Sequence, residues 1–305
     1  MIDEDQLLRK PVIVVGAPRS GTSFLGRVLG MHPSVYYLRE PRLTWNFGND
    51  AKSDLLYPKD ARPQVIRHIR RTFAGKIRAA GKTRMLEKSP RNSIRMPFVD
   101  KIFPDALYIH ILRYPVDTVL SIRSCWCENA HGFETVMRGR IKQRLLELNW
   151  RRLPHYAGEW LRRAMPRSLA ERSIGKPLWG TRLPGLQQMV QEMDLLEVAC
   201  LQWRTCVESA LHFTSALPPD RYRQVQLEDM SPDLIRQLLT FAELDEDPAV
   251  FDFLSKTFDA TRPSGRRKQV SSEDLAIIRR WTQTTCHWLD EPLPEPDGST
   301  REFRS

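Results

Sequence analysis

The sequence predicts an α/β fold, a central parallel sheet flanked by helices, with a helical lobe inserted into it. Three observations carry that expectation. Short apolar runs alternate with stretches of helical periodicity through the first 125 residues. The first of these runs ends in a glycine-bracketed turn that opens a helix. Between about residues 128 and 185 the alternation stops and the composition turns strongly basic.

The elements follow in order. "PVIVVG" (Pro11–Gly16) is a short apolar run ending in glycine, the pattern of a buried parallel strand. "SGTSFLGRVLGMHP" comes next, with Phe24, Leu25, Val28 and Leu29 at helical spacing and Pro33 as a stop. "SVYYLRE" (Ser34–Glu40) reads as a second strand and residues 61–80 as an amphipathic basic helix. "RMLEKSP" (Arg84–Pro90) is a third strand ending in a turn, and "NSIRMPFVDKIF" (Asn92–Phe103) is helical. "ALYIHILRYP" (Ala106–Pro115) is a fourth strand closed by its proline. "VDTVLSIRSCWCE" then starts a helix with Asp117 in the first turn. Strands separated by helices imply a parallel sheet with right-handed crossovers. After the basic segment, "MDLLEVACLQWRTCVESALHF" is a long periodic helix and "RYRQVQLEDM" a last strand. "SPDLIRQLLTFAEL" is a helix capped by Ser231. The tail, Glu291–Ser305, is rich in proline and charge and reads as loose. The expected organisation is one domain over 1–305. Its core lies at about 11–125 and 195–290, and its lobe at about 128–185.

A chain of 305 residues with 41% hydrophobic and 28% charged side chains suits one large folded domain and argues against global disorder. The net charge of +10 favours anionic partners. Nearly all of it falls between Arg138 and Arg182, where twelve Lys/Arg face three Asp/Glu, with Trp150, Trp160 and Trp179 interleaved. This segment reads either as a solvated helical face anchored by its tryptophans or as a surface for an anionic or amphiphilic acceptor. The N-terminus, "MIDEDQLLRK", lacks the apolar stretch of a signal peptide, and no run is long enough to span a bilayer, so the expected location is cytoplasmic. The odd set Cys125, Cys127, Cys200, Cys206 and Cys286 argues for free thiols, and its spacing matches no zinc site, so no metal is expected.

Gly16 and Gly21 bracket four residues, the G-x-x-x-x-G spacing of a P-loop. Such a turn lets backbone N–H groups converge on phosphate oxygens at a helix N-terminus. A kinase or NTPase also needs a lysine directly after the second glycine and a Ser/Thr for Mg²⁺. Here Thr22 stands in the lysine's place and Arg19 is the nearby cation. The loop suits a diphosphate-like anion that needs neither a γ-phosphate clamp nor Mg²⁺. A second cluster lies at the end of the fourth strand, where Arg113 sits at the edge at which open α/β sheets bind ligands. Ser121 lies eight residues on, in the next helix. These two side chains suit a second phosphate, although a surface salt bridge explains Arg113 equally well.

Together the clusters resemble the nucleotide-binding signatures of sulfotransferases that use 3′-phosphoadenosine 5′-phosphosulfate (PAPS). "PRSGTS" (Pro18, Arg19, Ser20, Gly21, Thr22, Ser23) is similar to the segment that binds the 5′-phosphosulfate there, and "RYPVDTVLS" (Arg113–Ser121) to the one that binds the 3′-phosphate. Arg19 resembles the bacterial and tyrosylprotein-type branch rather than the branch with lysine at that place. "REP" (Arg39–Pro41) resembles the catalytic glutamate segment of glycan and tyrosylprotein sulfotransferases. "LEKSP" (Leu86–Pro90) resembles the segment whose lysine lies near the sulfuryl group. "VQLEDM" is similar to a strand end of the family, and "PSGRRKQ" (Pro263–Gln269) falls where the family places a basic loop over the nucleotide. The resemblance implies a P-loop-type three-layer sandwich and PAPS as co-substrate, with adenosine 3′,5′-bisphosphate (PAP) as product. Arg266, Arg267 and Lys268 would join the nucleotide site.

In-line transfer of a sulfuryl group to a hydroxyl or amine needs positioning, charge stabilisation and a base for the acceptor's proton. Glu40 is the candidate base, with an ion pair to Arg39 or Arg42 as its structural alternative. Lys88 is the candidate stabiliser of developing charge, and a solvated lysine is its alternative; Glu87 is expected to orient Lys88. Arg19 is the third catalytic candidate. His110, inside a strand, reads as a core histidine, and His32 as a cap or packing residue. The expected acceptor is a small molecule, a glycan or a glycolipid, with peripheral membrane contact through the basic lobe. Two rival classes stay open at this point. One is an ATP–Mg phosphotransferase, which the missing lysine disfavours. The other is a non-catalytic anion-binding or nucleic-acid-binding protein, though no helix-turn-helix, RNP-like or zinc-finger pattern accompanies the basic charge.

Overall fold

A computed structural model describes residues 3–131, 178–259, 265–266, 270–291 and 293, with the side chains of 129–131 excepted. Most of the basic lobe, with Trp150 and Trp160, therefore lies outside the described residues, as do Arg267, Lys268 and most of the tail. The elements are α1 (Glu4–Leu7), β1 (Val12–Val15), α2 (Thr22–Leu29), β2 (Val35–Arg39), α3 (Arg42–Trp45), α4 (Pro63–Ala79), β3 (Arg84–Lys88) and α5 (Met96–Ile102). They continue with β4 (Leu107–Leu112), α6 (Pro115–His131), α7 (Leu186–Glu192), α8 (Leu195–Thr214), β5 (Tyr222–Gln226), α9 (Pro232–Phe241), α10 (Pro248–Thr257) and α11 (Ser272–Trp288).

The five strands form one parallel sheet in the order β2-β3-β1-β4-β5. Alternation along each strand sorts side chains onto two faces. Val12 and Val14 of β1 join Leu86, Ile109 and Ile111 under α2, α9 and α10. Ile13 and Val15 join Leu38, Met85 and Tyr108 under α1, α4 and α5. A further cluster joins α6, α8 and α11 through Val119, Ile122, Trp203, Val207 and Ile278. The result is the expected three-layer α/β sandwich. Each fully buried Val, Ile or Leu contributes roughly 1.5–3 kcal/mol, so the sheet is a rigid platform.

Strand order fixes where a ligand sits. The chain leaves β1 towards β2 on one side and later reaches β4 on the other, so β1 lies at a topological switch point. The turns after β1, β2, β3 and β4 all open at the same carboxyl edge. They carry Pro18–Ser23, Glu40, the Lys88–Ser89 corner and Arg113, in that order.

Several local features differ from the sequence reading. The helix expected over Asn92–Phe103 is a 3-10 turn (Pro90–Ile94) followed by α5, with a break at Arg95 (φ −136°). Pro97 has no N–H to continue the helical ladder, so the helix restarts instead of running through. Helices α10 and α11 were assigned no element by sequence. Both carry ordinary N-caps: Asp247 accepts from the Ala249 N–H (2.9 Å) and Ser271 from the Asp274 N–H (3.1 Å). The predicted caps and breakers elsewhere hold, with Ser231 accepting from the Leu234 N–H (3.2 Å). Of the tail, Glu291 accepts from Gln226 Nε2 (2.8 Å) and the Leu293 carbonyl from Arg279 (3.3 Å). Among the described residues no helix is long and apolar enough to cross a membrane.

Candidate active site

The loop after β1 is shaped by its two glycines. A Cβ at Gly16 would lie 2.4 Å from the Ile111 carbonyl oxygen, and one at Gly21 (φ 96°) would lie 2.7 Å from the Leu227 side chain. Only glycine lets the backbone pass this close to β4 and β5. Ser93 braces the loop from below: its Oγ accepts from the Gly16 N–H (2.9 Å) and donates to the Gly16 carbonyl (3.1 Å). Ser20 closes the turn by bonding the Ala17 carbonyl through N–H (3.2 Å) and Oγ (2.8 Å). Helix α2 then starts at Thr22 with Gly21 as its N-cap. Of its first-turn amides, those of Phe24 and Leu25 donate to the Gly21 carbonyl (2.9 and 3.0 Å), and those of Thr22 and Ser23 lie ahead of that ladder at the positive end of the helix.

Pro18, Ser20 and Thr22 are buried, whereas Arg19 is exposed and its backbone is left-handed (φ 72°). That conformation costs a non-glycine residue about 1 kcal/mol or more. It turns the Arg19 side chain towards α6, where Nε donates to Ser121 Oγ (3.0 Å). Arg113, at the end of β4, donates to the Arg19 carbonyl (3.3 Å), and burial pulls its guanidinium below the usual arginine range. Arg266 joins them. Its N–H donates to Asp117 Oδ1 (2.9 Å), in the first turn of α6, and its guanidinium to Ser124 Oγ (2.7 Å), in the third. Three arginines from three distant segments thus meet around one helix end, an arrangement suited to an anion.

Glu40 follows β2 and is also left-handed (φ 49°). Its N–H donates to the Lys88 carbonyl (2.9 Å), extending the β2–β3 pairing by one bond. Its carboxylate, 41% exposed, pairs with the ammonium of Lys88, whose side chain is fully buried. Lys88 also donates to Ser23 Oγ on α2 (2.7 Å). Strand parity explains the meeting: Lys88 points to the α2 face, as do Val14 and Leu86. Burial lowers the Lys88 ammonium from the usual lysine range, and the Glu40 carboxylate opposes that shift.

Glu87, one residue earlier, points to the other face. Its Oε1 accepts from Trp45 Nε1 (3.0 Å) and Ser89 Oγ (2.5 Å), and its Oε2 from Asn92 Nδ2 (2.7 Å). Burial raises its carboxyl to about 7, against the pull of those donors and of Arg95 and Lys88. A carboxyl whose folded-state value stands above its unfolded one binds its proton more tightly when folded. Folding stability then falls by about 3 kcal/mol as pH rises from about 4.5 to about 7, and is level above that. Glu87→Gln carries no such titration. Denaturant melts across this range should show the variant gaining on the wild type as pH rises; a difference independent of pH would contradict the assignment.

These geometries accompany a direct family match: the sulfotransferase family pattern covers residues 11–171, just over half of the chain. The chain belongs to the sulfotransferase family. A curated relative, the nodulation protein NoeE of Sinorhizobium fredii (strain NBRC 101917 / NGR234), is 28% identical over 131 residues. That match covers 37% of this chain and 31% of NoeE, so less than a third of the relative's length is shared. Two solved structures share the fold. The sulfotransferase domain from the curacin biosynthetic pathway aligns with TM-score 0.53 at 16% identity, over 94% of this chain and 100% of that one. The sulfotransferase STF9 from Mycobacterium avium aligns with TM-score 0.52 at 14% identity, over 94% and 78%.

The candidate residues Arg19, Ser20, Gly21, Thr22, Ser23, Glu40, Lys88, Arg113, Ser121 and Arg266 lie along one edge of the sheet. Arg267 and Lys268 lie outside the described residues. Glu87 does not orient Lys88 as the sequence suggested, because neighbours on a strand face opposite ways; no hydrogen bond joins them among the described contacts. His110 is a core residue, with Nδ1 3.2 Å from the Tyr222 hydroxyl, and burial lowers it to about 4. His32 is buried and accepts from the Ser34 N–H (3.2 Å), a packing and capping role. The five cysteines are free thiols. Sequence reasoning missed Ser93 under the loop, Asp117 and Ser124 as anchors of Arg266, and Glu228, which accepts from the Tyr114 N–H (3.1 Å). Asp117 and Glu228 fall inside segments already singled out, so position was legible but partner was not.

Proposed function

We propose that this sulfotransferase moves a sulfuryl group from PAPS to a hydroxyl or amine of an acceptor. The observation that carries the reading is the Arg19–Ser121 hydrogen bond, which joins the loop after β1 to the Arg113 cluster in one anion site. The Thr22 and Ser23 amides of α2 and the Arg19 side chain suit the 5′-phosphosulfate. Arg113, Ser121 and Arg266 suit the 3′-phosphate. Gly16 and Gly21 fit this role, since any side chain there would meet Ile111 or Leu227 and lift the loop off the sheet.

The step is a displacement at sulfur. The bond from sulfur to the acceptor oxygen or nitrogen forms as the bond to the bridging phosphate oxygen breaks, leaving PAP. Glu40 accepts the acceptor's proton; its carboxylate is partly exposed at the sheet edge, where an acceptor enters. Lys88, held by Ser23 at the start of α2, balances negative charge on the bridging oxygen. Its ammonium lies beside the helix that an ATP-binding loop would serve with a lysine at position 22. Acceptors of the reading are small molecules, glycans or glycolipids.

Arg113→Ala tests the donor site. It should weaken PAP binding about ten- to a hundred-fold in calorimetry, the size of a lost charge-assisted contact of 1.5–3 kcal/mol. Adenosine 5′-phosphate, without the 3′-phosphate, should lose little. Equal losses for both nucleotides would show that Arg113 does not read the 3′-phosphate.

A further inference from the structure

The face of β3 opposite Lys88 carries a closed circuit of buried polar groups that the reaction itself does not use. Glu87, Trp45, Asn92, Ser93 and Arg95 are all fully buried, and Asn46 nearly so. Glu87 grips Trp45 with one carboxylate oxygen and Asn92 with the other. Arg95 completes the ring, donating through Nε to Asn92 Oδ1 (2.8 Å) and through Nη1 to Asn46 Oδ1 (3.0 Å). Its guanidinium lies 5.6 Å from the Trp45 ring centre. Burying a carboxylate and a guanidinium is expensive, and an apolar filling of this volume would be as stable or more so. Arg95 Nη2 stays without a hydrogen-bond partner; what the bonds of the circuit supply is a single geometry.

The circuit joins two segments that hold reacting groups. Trp45 and Asn46 end α3, which begins two residues after Glu40. The Arg42 N–H donates to the Glu40 carbonyl (2.7 Å) and the Trp45 N–H to the Pro41 carbonyl (3.1 Å). On the other side, Asn92 precedes Ser93, which holds Gly16 of the donor loop. Phe73 and Phe103 pack edge-on against the Trp45 ring (5.3 and 6.2 Å) and leave its Nε1 aimed at Glu87.

We propose that Glu87 is a positioning residue: its carboxylate fixes where Glu40 stands relative to the donor loop, holding α3 through Trp45 and the loop's brace through Asn92. The inference rests on the reading of Glu40 as the base. It explains why Glu40 keeps a left-handed backbone at a cost, since the turn is tied at one end to the Lys88 carbonyl and at the other to Glu87.

Trp45→Phe deletes the Nε1 donor and keeps a ring in place; Glu87→Gln removes the carboxylate at constant shape. Each is made alone and on a Glu40→Gln background, and turnover and PAP affinity are measured. Each single change should lower turnover about ten- to a hundred-fold, the effect of misplacing a reacting group by about an ångström. PAP affinity should be unchanged, because the Ser93–Gly16 bonds stay. On the Glu40→Gln background neither change should lower turnover further. Losses that persist undiminished on that background, or that come with loss of PAP binding, would show a general structural role and overturn the inference. Full turnover in both single variants would overturn it too. Full turnover of Glu40→Gln alone would instead remove the base, and this inference with it.

Discussion

Glu40→Gln is expected to lower turnover about a hundred- to ten-thousand-fold, the usual contribution of a positioned base, with PAP affinity intact. The carboxylate pairs with Lys88 and is 41% exposed, so its loss is expected to act on proton transfer and to leave nucleotide binding in place. The variant should also change its pH dependence. Glu40 is the partner that keeps the buried Lys88 ammonium protonated against desolvation. With a neutral amide there, Lys88 loses its proton at lower pH, and the alkaline limb of the rate profile moves down. Turnover equal to that of the wild type would remove Glu40 as the base. An unmoved alkaline limb would separate Lys88 from it.

Lys88→Met should cost about a hundred- to a thousand-fold in turnover, as for removal of one preorganised donor from a transition state. Stability is expected to hold or rise. A buried ammonium needs compensation from Glu40 and Ser23, and an unbranched apolar side chain of similar length does not. Loss of activity at an undiminished melting temperature would therefore mark Lys88 as functional. Retained turnover would reduce it to a structural contact between β3 and α2.

The centre of the sheet was legible because β1 and β4 are largely apolar runs bounded by glycine or proline, and the donor loop because its glycines stand at fixed spacing. The parallel three-layer architecture followed from the βα alternation, whereas the strand order is read from the structure. What escaped is long-range or depends on parity. The sequence could not show which face Lys88 would take, so a solvated lysine stayed open, yet register with β1 and β2 buries it against Ser23. The same parity sends Glu87 the other way. The Ser93–Gly16 and Arg266–Asp117 bonds join residues 77 and 149 positions apart, and nothing in either segment names its partner. Helices α10 and α11 did carry cap signals, Asp247 and Ser271, that periodicity alone would have supported.

The left-handed backbones of Arg19 and Glu40 fit the same account. Each strained turn points a charged side chain along the sheet edge, one towards Ser121 and one towards Lys88. Strain of this kind persists where the surroundings hold it, and here the Lys88 carbonyl and the Arg113 guanidinium bond to the two strained residues directly.

The central claim is that one site holds both ends of a 3′-phosphorylated, 5′-activated adenosine nucleotide. Titration calorimetry of the wild-type protein with PAP, adenosine 5′-phosphate and ATP, each with and without Mg²⁺, tests it most directly. PAP is expected to bind tightly and indifferently to Mg²⁺, and the nucleotide without the 3′-phosphate clearly more weakly. Mg²⁺-dependent binding of ATP with no binding of PAP would contradict it.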